Sequence, residues 1–244
     1  MAAEQHNPLA QFEIKALVPI QFGELDLSFT NSALFMVIAV TLATAFLMIG
    51  TRRGNLVPGR WQSLAEISYE FVAGMIRDNV GQEGRKYFPF IFSLFMFVLF
   101  GNLLGLLPYS FTYTSHIIVT FALAAFVFVG VTVIGFMKHG LPFLKFLMPT
   151  GVPIYMAPLI VPIEILSYFT RPVSLALRLF ANMTAGHTML KVFAGFVATL
   201  GVLGVVPLAL VAALTGLEFI IAFLQAYVFT ILTCVYLNDA LHMH

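Results

Sequence analysis

Charged residues are scarce in this chain of 244 residues, at 9% of the total, whereas hydrophobic residues make up 60%. Soluble domains carry about 25% charged residues, so this composition argues against a soluble globular fold. The net charge is only +1, and we therefore expect no nucleic acid partner. Segments of weak alternating hydrophobicity, which are typical of membrane barrels, are also missing. The composition predicts a helical membrane protein.

Other chemical signatures are missing as well. The single cysteine, Cys234, rules out an internal disulfide and a CxxC metal site. The sequence has neither a glycine-rich phosphate loop nor a cluster of metal ligands, so we expect no cofactor, metal or bound nucleotide. Residues 1–15 lack a basic stretch followed by an apolar core, and we expect no cleaved signal peptide.

Long apolar runs are what the sequence does have, and several reach the ~20 residues that a membrane-spanning helix needs. They predict an all-α polytopic fold with about five membrane helices, in one membrane domain covering residues 1–244. The predicted segments are an N-terminal part at 1–30, spans at 31–50, 88–107 and 117–137, and two overlong helices at 158–200 and 205–241.

Residues 59–84 form a different kind of segment, with apolar residues at helical spacing and charged residues between them. Trp61, Leu64 and Phe71 belong to the apolar set, whereas Glu66 and Asp78 interrupt it. An amphipathic helix at the membrane interface explains this pattern. A surface helix packed on its own protein explains it equally well, and both interpretations can hold together.

The distribution of basic residues predicts the orientation of the chain. The basic residues beside the ends of predicted spans are Arg52, Arg53, Arg60, Arg85, Lys86, Lys138, His139 and Lys145. The connection at 109–116 carries neither lysine nor arginine. Since cytoplasmic loops are enriched in these residues, we expect the N-terminus outside and the C-terminus in the cytoplasm.

The segment at 158–200 is too long for an upright span. From Pro162 to about Leu200, roughly 38 residues of helix would extend about 57 Å, against a hydrocarbon core of about 30 Å. Pro172 would kink this helix rather than end it. Such a helix must tilt steeply, which makes sense if it packs along the surface of a partner. The segment at 205–241 is similarly overlong.

The apolar stretch at 167–191 contains Arg171, Arg178, His187 and Lys191. A charged side chain at the bilayer centre costs at least about 2.5–3.5 kcal/mol, so such residues usually mark a functional site. Arg178 is the sharpest case, because a guanidinium stays protonated where a lysine would lose its proton on burial. It is a fixed positive charge.

Gly201, Gly204 and Pro207 predict a turn between the two overlong helices. An antiparallel hairpin closed near residue 202 would set Arg178 level with Gln225, and His187 level with Glu218. The sequence therefore predicts two polar pairs across the hairpin.

A neighbouring histidine and acid suggest a proton relay, because histidine titrates near neutral pH and the acid favours its protonated form. A structural ion pair that fixes helix register is the alternative. Further polar residues in the hairpin favour a wetted path; they are Ser174, Asn182, Thr184 and Gln225. Asn102, in the span at 88–107, is better explained as an inter-helix hydrogen bond.

Two stretches of the hairpin, RPVSLALRLFANMTAGH and EFIIAFLQAYVFTILTCVYLNDA, resemble the subunit a family of F-type ATP synthases. The resemblance extends upstream through PFIFSLFMFVLFGNLLGLLPYSFTYTSH and covers nearly the whole chain. It implies that Arg178, in the SLxLRLFxNMxAG pattern, is the essential stator charge facing a rotating ring of c subunits. It places Asn182 and Gln225 near that arginine.

The resemblance also implies two offset proton half-channels, which couple proton translocation to ring rotation and hence to ATP synthesis. His187 and Glu218 would line the outer one, and Glu164 and Ser174 would lie toward the inner one. Implied partners are the c-ring, peripheral-stalk b-type subunits, protons and membrane lipid. The chain itself would not bind nucleotide. In many bacterial relatives the acid and the histidine are exchanged, and the present arrangement resembles mitochondrial and alphaproteobacterial members.

We expect a location in a bacterial inner membrane, with the mitochondrial inner membrane as the alternative. Two other classes of protein are weaker interpretations. A secondary transporter would also hold charges at the midplane, but the sequence shows no internal repeat. A haem-bearing subunit needs axial histidines deep in the spans, and only His187 lies well inside one.

Overall fold

A computed structural model describes residues 12–19, 21–22, 25–26, 28–52, 54, 57–107, 110–140, 142–143 and 156–242. Arg53, Lys145 and residues 1–11, on which predictions also fall, lie outside the described residues. Six α-helices make up most of the described chain, which confirms the predicted all-α polytopic fold. They are α1 (Asn31–Thr51), α2 (Arg60–Asn79), α3 (Phe88–Gly105), α4 (Ile117–His139), α5 (Ala157–Thr199) and α6 (Val205–Leu241).

Within the described residues, five helical segments are long and apolar enough to cross a membrane. They comprise α1, α4, α5, α6 and the segment Gln82–Gly105, in which a 3₁₀ turn at Gln82–Tyr87 leads into α3. The spans therefore match the predicted number. The hydrophobic core lies where α2, α3, α4, α5 and α6 meet, and its centre includes Phe95, Val127, Leu179 and Phe229.

Short strands precede the first helix, and the sequence did not predict them. β1 (Ala16–Val18) pairs antiparallel with β4 (Phe29–Thr30), and β2 (Gln21–Phe22) pairs with β3 (Leu25–Asp26). Asn31 fixes this ribbon to α1, because its side-chain oxygen accepts from the Lys15 amide at 3.2 Å. The strands are too short to carry a periodic pattern of hydrophobicity.

Helix α2 fits both interpretations of the amphipathic segment. It buries Ala65, Val72, Met75 and Ile76 against the rest of the protein. Trp61, Leu64 and Ile67 are nevertheless exposed, each by more than half. The α-helix ends at Asn79 rather than at residue 84, because Gly81 follows with a φ of +79° that breaks the helical path. This amphipathic helix is thus packed on one face and open on the other.

Helices α5 and α6 form the predicted antiparallel hairpin. The 43 residues of α5 continue through Pro162 and Pro172, and at 1.5 Å per residue they extend about 65 Å. The turn is a 3₁₀ segment, Gly201–Gly204. Gly201 has a φ of +56°, and a Cβ on Gly204 would lie 2.6 Å from the Val197 carbonyl oxygen. Both glycines are therefore required to close the turn.

Two contacts join helix termini on the side of the molecule opposite the hairpin turn. Lys138, at the end of α4, forms an ion pair with Glu83 in the 3₁₀ turn before α3. The imidazole Nε2 of His139 lies 3.1 Å from the Leu241 carbonyl oxygen at the end of α6. Lys138 and His139, two of the basic residues used to predict orientation, therefore lie at the same end of the molecule as the C-terminal end of α6.

Candidate functional site

The two long helices hold a histidine and an acid side by side in the interior. His187 on α5 and Glu218 on α6 are 7% and 8% exposed, and the His187 Nδ1 lies 3.4 Å from the Glu218 Oε2. The structure thus brings together the pair that the turn position predicts. The two atoms are within ion-pair distance, but the orientation does not meet hydrogen-bond geometry, and both Glu218 oxygens have no hydrogen-bond partner in the described chain. A buried carboxylate of this kind needs compensation, and the His187 imidazole is positioned to supply it.

The connection between α3 and α4 adds polar groups to this pair. The Thr112 Oγ1 lies 3.2 Å from the His187 Nε2, and the Thr184 hydroxyl donates to the Ser115 carbonyl oxygen at 3.1 Å. Thr112 and Ser115 are both buried. Polar atoms therefore continue from this connection to His187 and on to Glu218. Thr112 was not predicted as part of the site, because nothing in its local sequence shows that the loop folds back onto α5.

Gly186 leaves room for the Glu218 carboxylate, because it has no side chain. A Cβ added at Gly186 would lie 2.6 Å from the Glu218 Oε1 and 3.1 Å from its carboxyl carbon. Contacts below about 3 Å are not tolerated between such atoms, so any larger residue would displace the carboxylate. The glycine of the MTAGH stretch therefore has a steric role in the site.

Arg178 lies on the other side of α5. It is nine positions before His187, which at about 100° per residue turns it to the opposite helix face. Arg178 is exposed, and it has neither an ion pair nor a hydrogen bond within the described chain. It lines a shallow surface depression together with Thr170, Val173, Ser174 and Leu177. The hairpin thus presents an unpaired guanidinium on its outer surface.

Other predicted site residues are distributed between these two faces. Asn182 is exposed near Arg178, whereas Gln225 is 6% exposed and faces the interior. No hydrogen bond joins Arg178 to Gln225 among the described residues, although the predicted register sets them level. Glu164 is half-buried, and Lys191 is exposed. The structure therefore separates an inner set of polar residues from an outer one.

Asn102 is fully buried between α3 and α6. Its side-chain nitrogen donates to the Ala222 carbonyl oxygen at 3.2 Å, which confirms the predicted inter-helix hydrogen bond. Its side-chain oxygen has no partner within the described residues. Ala222 is one turn beyond Glu218, so this bond fixes α6 close to the buried acid.

Arg171 is the second arginine of α5, and it differs from Arg178 in being paired. Its Nη1 donates to the Asp239 Oδ2 on α6 at 2.7 Å. The predicted register would set Arg171 level with Leu232, so sequence reasoning did not find this pair. Within the part of the chain that the structure describes, no group of three histidine, cysteine, aspartate or glutamate residues could hold a metal ion.

Apolar helices of membrane-spanning length, with ionisable side chains inside the last two, define a multi-pass membrane protein with a charged hairpin. Comparison with known proteins identifies the family. Residues 33–238 match the model of the family described as ATP synthase A chain. The chain belongs to this family.

Its relatives are similar along their whole length. The chain is 63% identical to ATP synthase subunit a of Paramagnetospirillum magneticum, with 98% of this chain and 99% of the relative covered. It is 62% identical to ATP synthase subunit a of Rhodospirillum rubrum, covering 98% of this chain and 100% of that one. The chain is 61% identical to ATP synthase subunit a of Mesorhizobium japonicum, with 99% of each chain covered. As a member of this family, the chain is a component of the membrane sector of an ATP synthase.

Proposed function

We propose that Arg178 is the stator charge of this complex and faces the carboxylates of a rotating ring of c subunits. The observation that carries this proposal is that Arg178 is exposed, and unpaired within the described chain, on a hairpin whose exposed residues are mostly apolar. A desolvated guanidinium stays charged, so it needs an anionic partner. Exposed apolar residues beside it, such as Val173 and Leu177, fit a large hydrophobic partner surface.

The ring carboxylate and Arg178 form a charge switch in this proposal. A deprotonated carboxylate is costly against lipid but is stabilised opposite the guanidinium. When it takes up a proton it becomes neutral, leaves Arg178 and rotates into the lipid. On returning toward Arg178 it loses the proton, because a nearby positive charge favours the ionised form.

His187 and Glu218 pass protons from the outer face to the ring in this proposal. They lie toward the turn end of the hairpin, and polar groups at Thr112 and Thr184 connect them to the loop between α3 and α4. The imidazole can accept a proton from one side and transfer it on the other, since its two nitrogens face different partners. Asn182 and Gln225 would line the approach to Arg178.

Protons leave on the other side through a second path that contains Ser174 and Glu164. Ser174 lines the same surface depression as Arg178, and Glu164 lies closer to the start of α5. Arg178 separates the two paths and repels protons, so that they cannot cross without ring rotation. Each charge that crosses 100 mV yields about 2.3 kcal/mol. Several crossings are therefore needed for each ATP, which is made elsewhere in the complex and not on this chain.

The chain lies in a bacterial inner membrane in this proposal, with its N-terminus outside and its C-terminus in the cytoplasm. The ion pair between Lys138 and Glu83 and the proximity of His139 to Leu241 support one common end for the basic residues. Peripheral-stalk b-type subunits would hold the chain against the turning ring.

The test is ATP-driven proton pumping and ATP synthesis in membrane vesicles that carry Arg178→Ala in the assembled complex. We expect both activities to be lost while the complex still assembles. Arg77→Ala is the matched control, because Arg77 is exposed on α2 away from the hairpin; it should leave both activities near the wild-type level. Coupled pumping by the Arg178→Ala complex would mean that this arginine is structural only.

A further inference from the structure

Arg171, the second arginine of the hairpin, belongs to a cluster of polar and aromatic side chains that we call the clamp. The clamp consists of Arg171, Asp239, Tyr168, Tyr236 and Thr132. The Arg171 guanidinium donates to Asp239 at 2.7 Å, and the two side chains are 28% and 31% exposed. The guanidinium carbon lies 5.8 Å from the centre of the Tyr168 ring and 5.4 Å from that of Tyr236. The Tyr168 and Thr132 hydroxyls are 2.8 Å apart, which ties the clamp to α4.

The clamp lies close to the unpaired arginine. Arg171 and Arg178 are seven positions apart, so they share a helix face and are separated by about 10 Å along the axis. Among the described residues, Arg171 has a carboxylate partner, whereas Arg178 has none.

We infer that Asp239 neutralises Arg171 so that Arg178 is the only unpaired guanidinium that the hairpin presents to the ring. This inference rests on the proposed function of Arg178. A charge switch needs one attractive point, at which the ring carboxylate is held when charged and from which it departs when neutral. An unpaired Arg171 would extend the attractive region by about two helical turns, and the carboxylate would lose and regain its proton at the wrong place.

Coulomb's law gives the size of the effect. Two unit charges about 10 Å apart at an effective dielectric constant of about 20 interact strongly enough to change an equilibrium by about tenfold. Removing the Asp239 charge should therefore slow the release of the ring carboxylate by about that factor. Asp239 and Arg171 act here as positioning residues, because they set the field around Arg178 without touching the ring carboxylate.

Two other roles for the clamp make different predictions. A clamp that merely fixes the register of α5 and α6 predicts that each single variant reduces the amount of assembled complex rather than the turnover of each complex, since breaking one partner of an ion pair leaves the other uncompensated. A proton-carrying Asp239 requires the carboxyl group whatever the state of Arg171. Neutralisation predicts instead that the assembled Asp239→Asn complex turns over slowly and that the double variant recovers, so turnover measured per assembled complex separates the three roles.

The experiment compares Asp239→Asn, Arg171→Gln and the double variant, each in the assembled complex in membrane vesicles, by the initial rate of ATP-driven proton pumping. Asp239→Asn should lower the rate about tenfold, and the double variant should recover to within about twofold of wild type. Arg171→Gln should have the smaller effect of the two single variants, because a lone carboxylate can take up a proton whereas a lone guanidinium cannot lose one.

Several outcomes would overturn the inference. A double variant as slow as Asp239→Asn would show that the ion pair or the carboxyl group itself is needed, and unchanged pumping by Asp239→Asn would show that the charge of Arg171 does not matter. If Asp239→Asn fails to assemble, the exchanged variant, Arg171→Asp with Asp239→Arg, tests the inference instead. Neutralisation predicts that this variant assembles and pumps. An assembled complex that does not pump would contradict the inference.

Arg178→Ala, measured in the same vesicles, separates this inference from the proposed function. If Arg178→Ala pumps normally, the proposed function is wrong and the inference falls with it. If Arg178→Ala abolishes pumping while Asp239→Asn pumps normally, only the role assigned to the clamp is wrong.

Discussion

The His187 Nδ1 and the Glu218 Oε2 lie 3.4 Å apart, although the two residues belong to different helices on either side of the hairpin turn. Both side chains are more than nine-tenths buried. The imidazole also contacts Thr112 through its other nitrogen, so it has a polar partner on each side. This arrangement is suited to proton transfer, because one nitrogen can accept a proton while the other donates one.

Exchanging the two residues should preserve proton transfer. In the variant His187→Glu with Glu218→His, an imidazole and a carboxylate still face each other across the hairpin. We expect ATP-driven pumping within a few-fold of wild type, measured in membrane vesicles. Glu218→Gln keeps the size of the side chain but cannot titrate, so pumping should fall by about 10²-fold, the usual contribution of a positioned acid or base.

The comparison between these two variants decides between a relay and a structural ion pair. If the pair only fixes helix register, Glu218→Gln should reduce the amount of assembled complex rather than the turnover of each complex. Normal turnover by the Glu218→Gln complex would contradict the relay.

Gly186→Ala should impair the same step through Glu218. The added methyl group would lie 2.6 Å from the Glu218 Oε1, so the carboxylate must move away from His187. We expect pumping to fall by up to about 10²-fold, the loss that a displacement of about 1 Å can produce. Gly195→Ala is the matched control on the same helix, since a Cβ there has no neighbour within 4 Å. Equal pumping by the two variants would show that the position of the carboxylate is not critical.

The sequence predicted the hairpin and its polar pair because both follow from simple geometry. Gly201 and Gly204 fix the turn, and the constant rise of a helix then determines which residues are level. The same reasoning could have placed Arg178 and His187 on opposite faces, since they are nine positions apart. Helix number and span position likewise follow from the length of the apolar runs.

Contacts that depend on long side chains or on folded loops were not predictable in this way. The pair formed by Arg171 and Asp239 departs from the level register, because a long arginine side chain reaches along the helix. Thr112 meets His187 only because the connection after α3 folds back onto α5. The short strands before α1 have too few residues to show a periodic signal.

Gly101→Ala should destabilise the packing of α3 against the connection that follows it. A Cβ at Gly101 would overlap the Tyr113 hydroxyl, which donates to the Phe97 carbonyl oxygen at 2.9 Å. Overpacking of a tight site costs typically about 1–3 kcal/mol. The apparent melting temperature of the purified complex should therefore fall. Gly130→Ala on α4 is the control, because a Cβ there has no neighbour within 4 Å. An equal fall in the melting temperature of both variants would contradict the steric explanation.

His116 should make the stability of the folded chain sensitive to acid. It stacks on Phe111 with ring centres 5.0 Å apart, and its Nε2 is buried without a hydrogen-bond partner in the described chain. This burial lowers the pKa of His116 below its ordinary value of 6.5, because desolvation disfavours the charged ring. Well above pH 6.5 the ring is neutral in both the folded and the unfolded chain, so the lowered pKa does not change the free energy of unfolding.

As the pH falls below 6.5, the unfolded chain takes up this proton before the folded chain does, so the free energy of unfolding decreases toward the lowered pKa of the folded state. We expect the apparent melting temperature of the detergent-solubilised protein to fall between pH 7 and pH 5, and to fall less in His116→Gln, which cannot titrate. Other ionisable groups contribute equally to both proteins, so the difference between the two curves isolates His116. Parallel curves across this range would show that burial of the ring does not oppose its protonation.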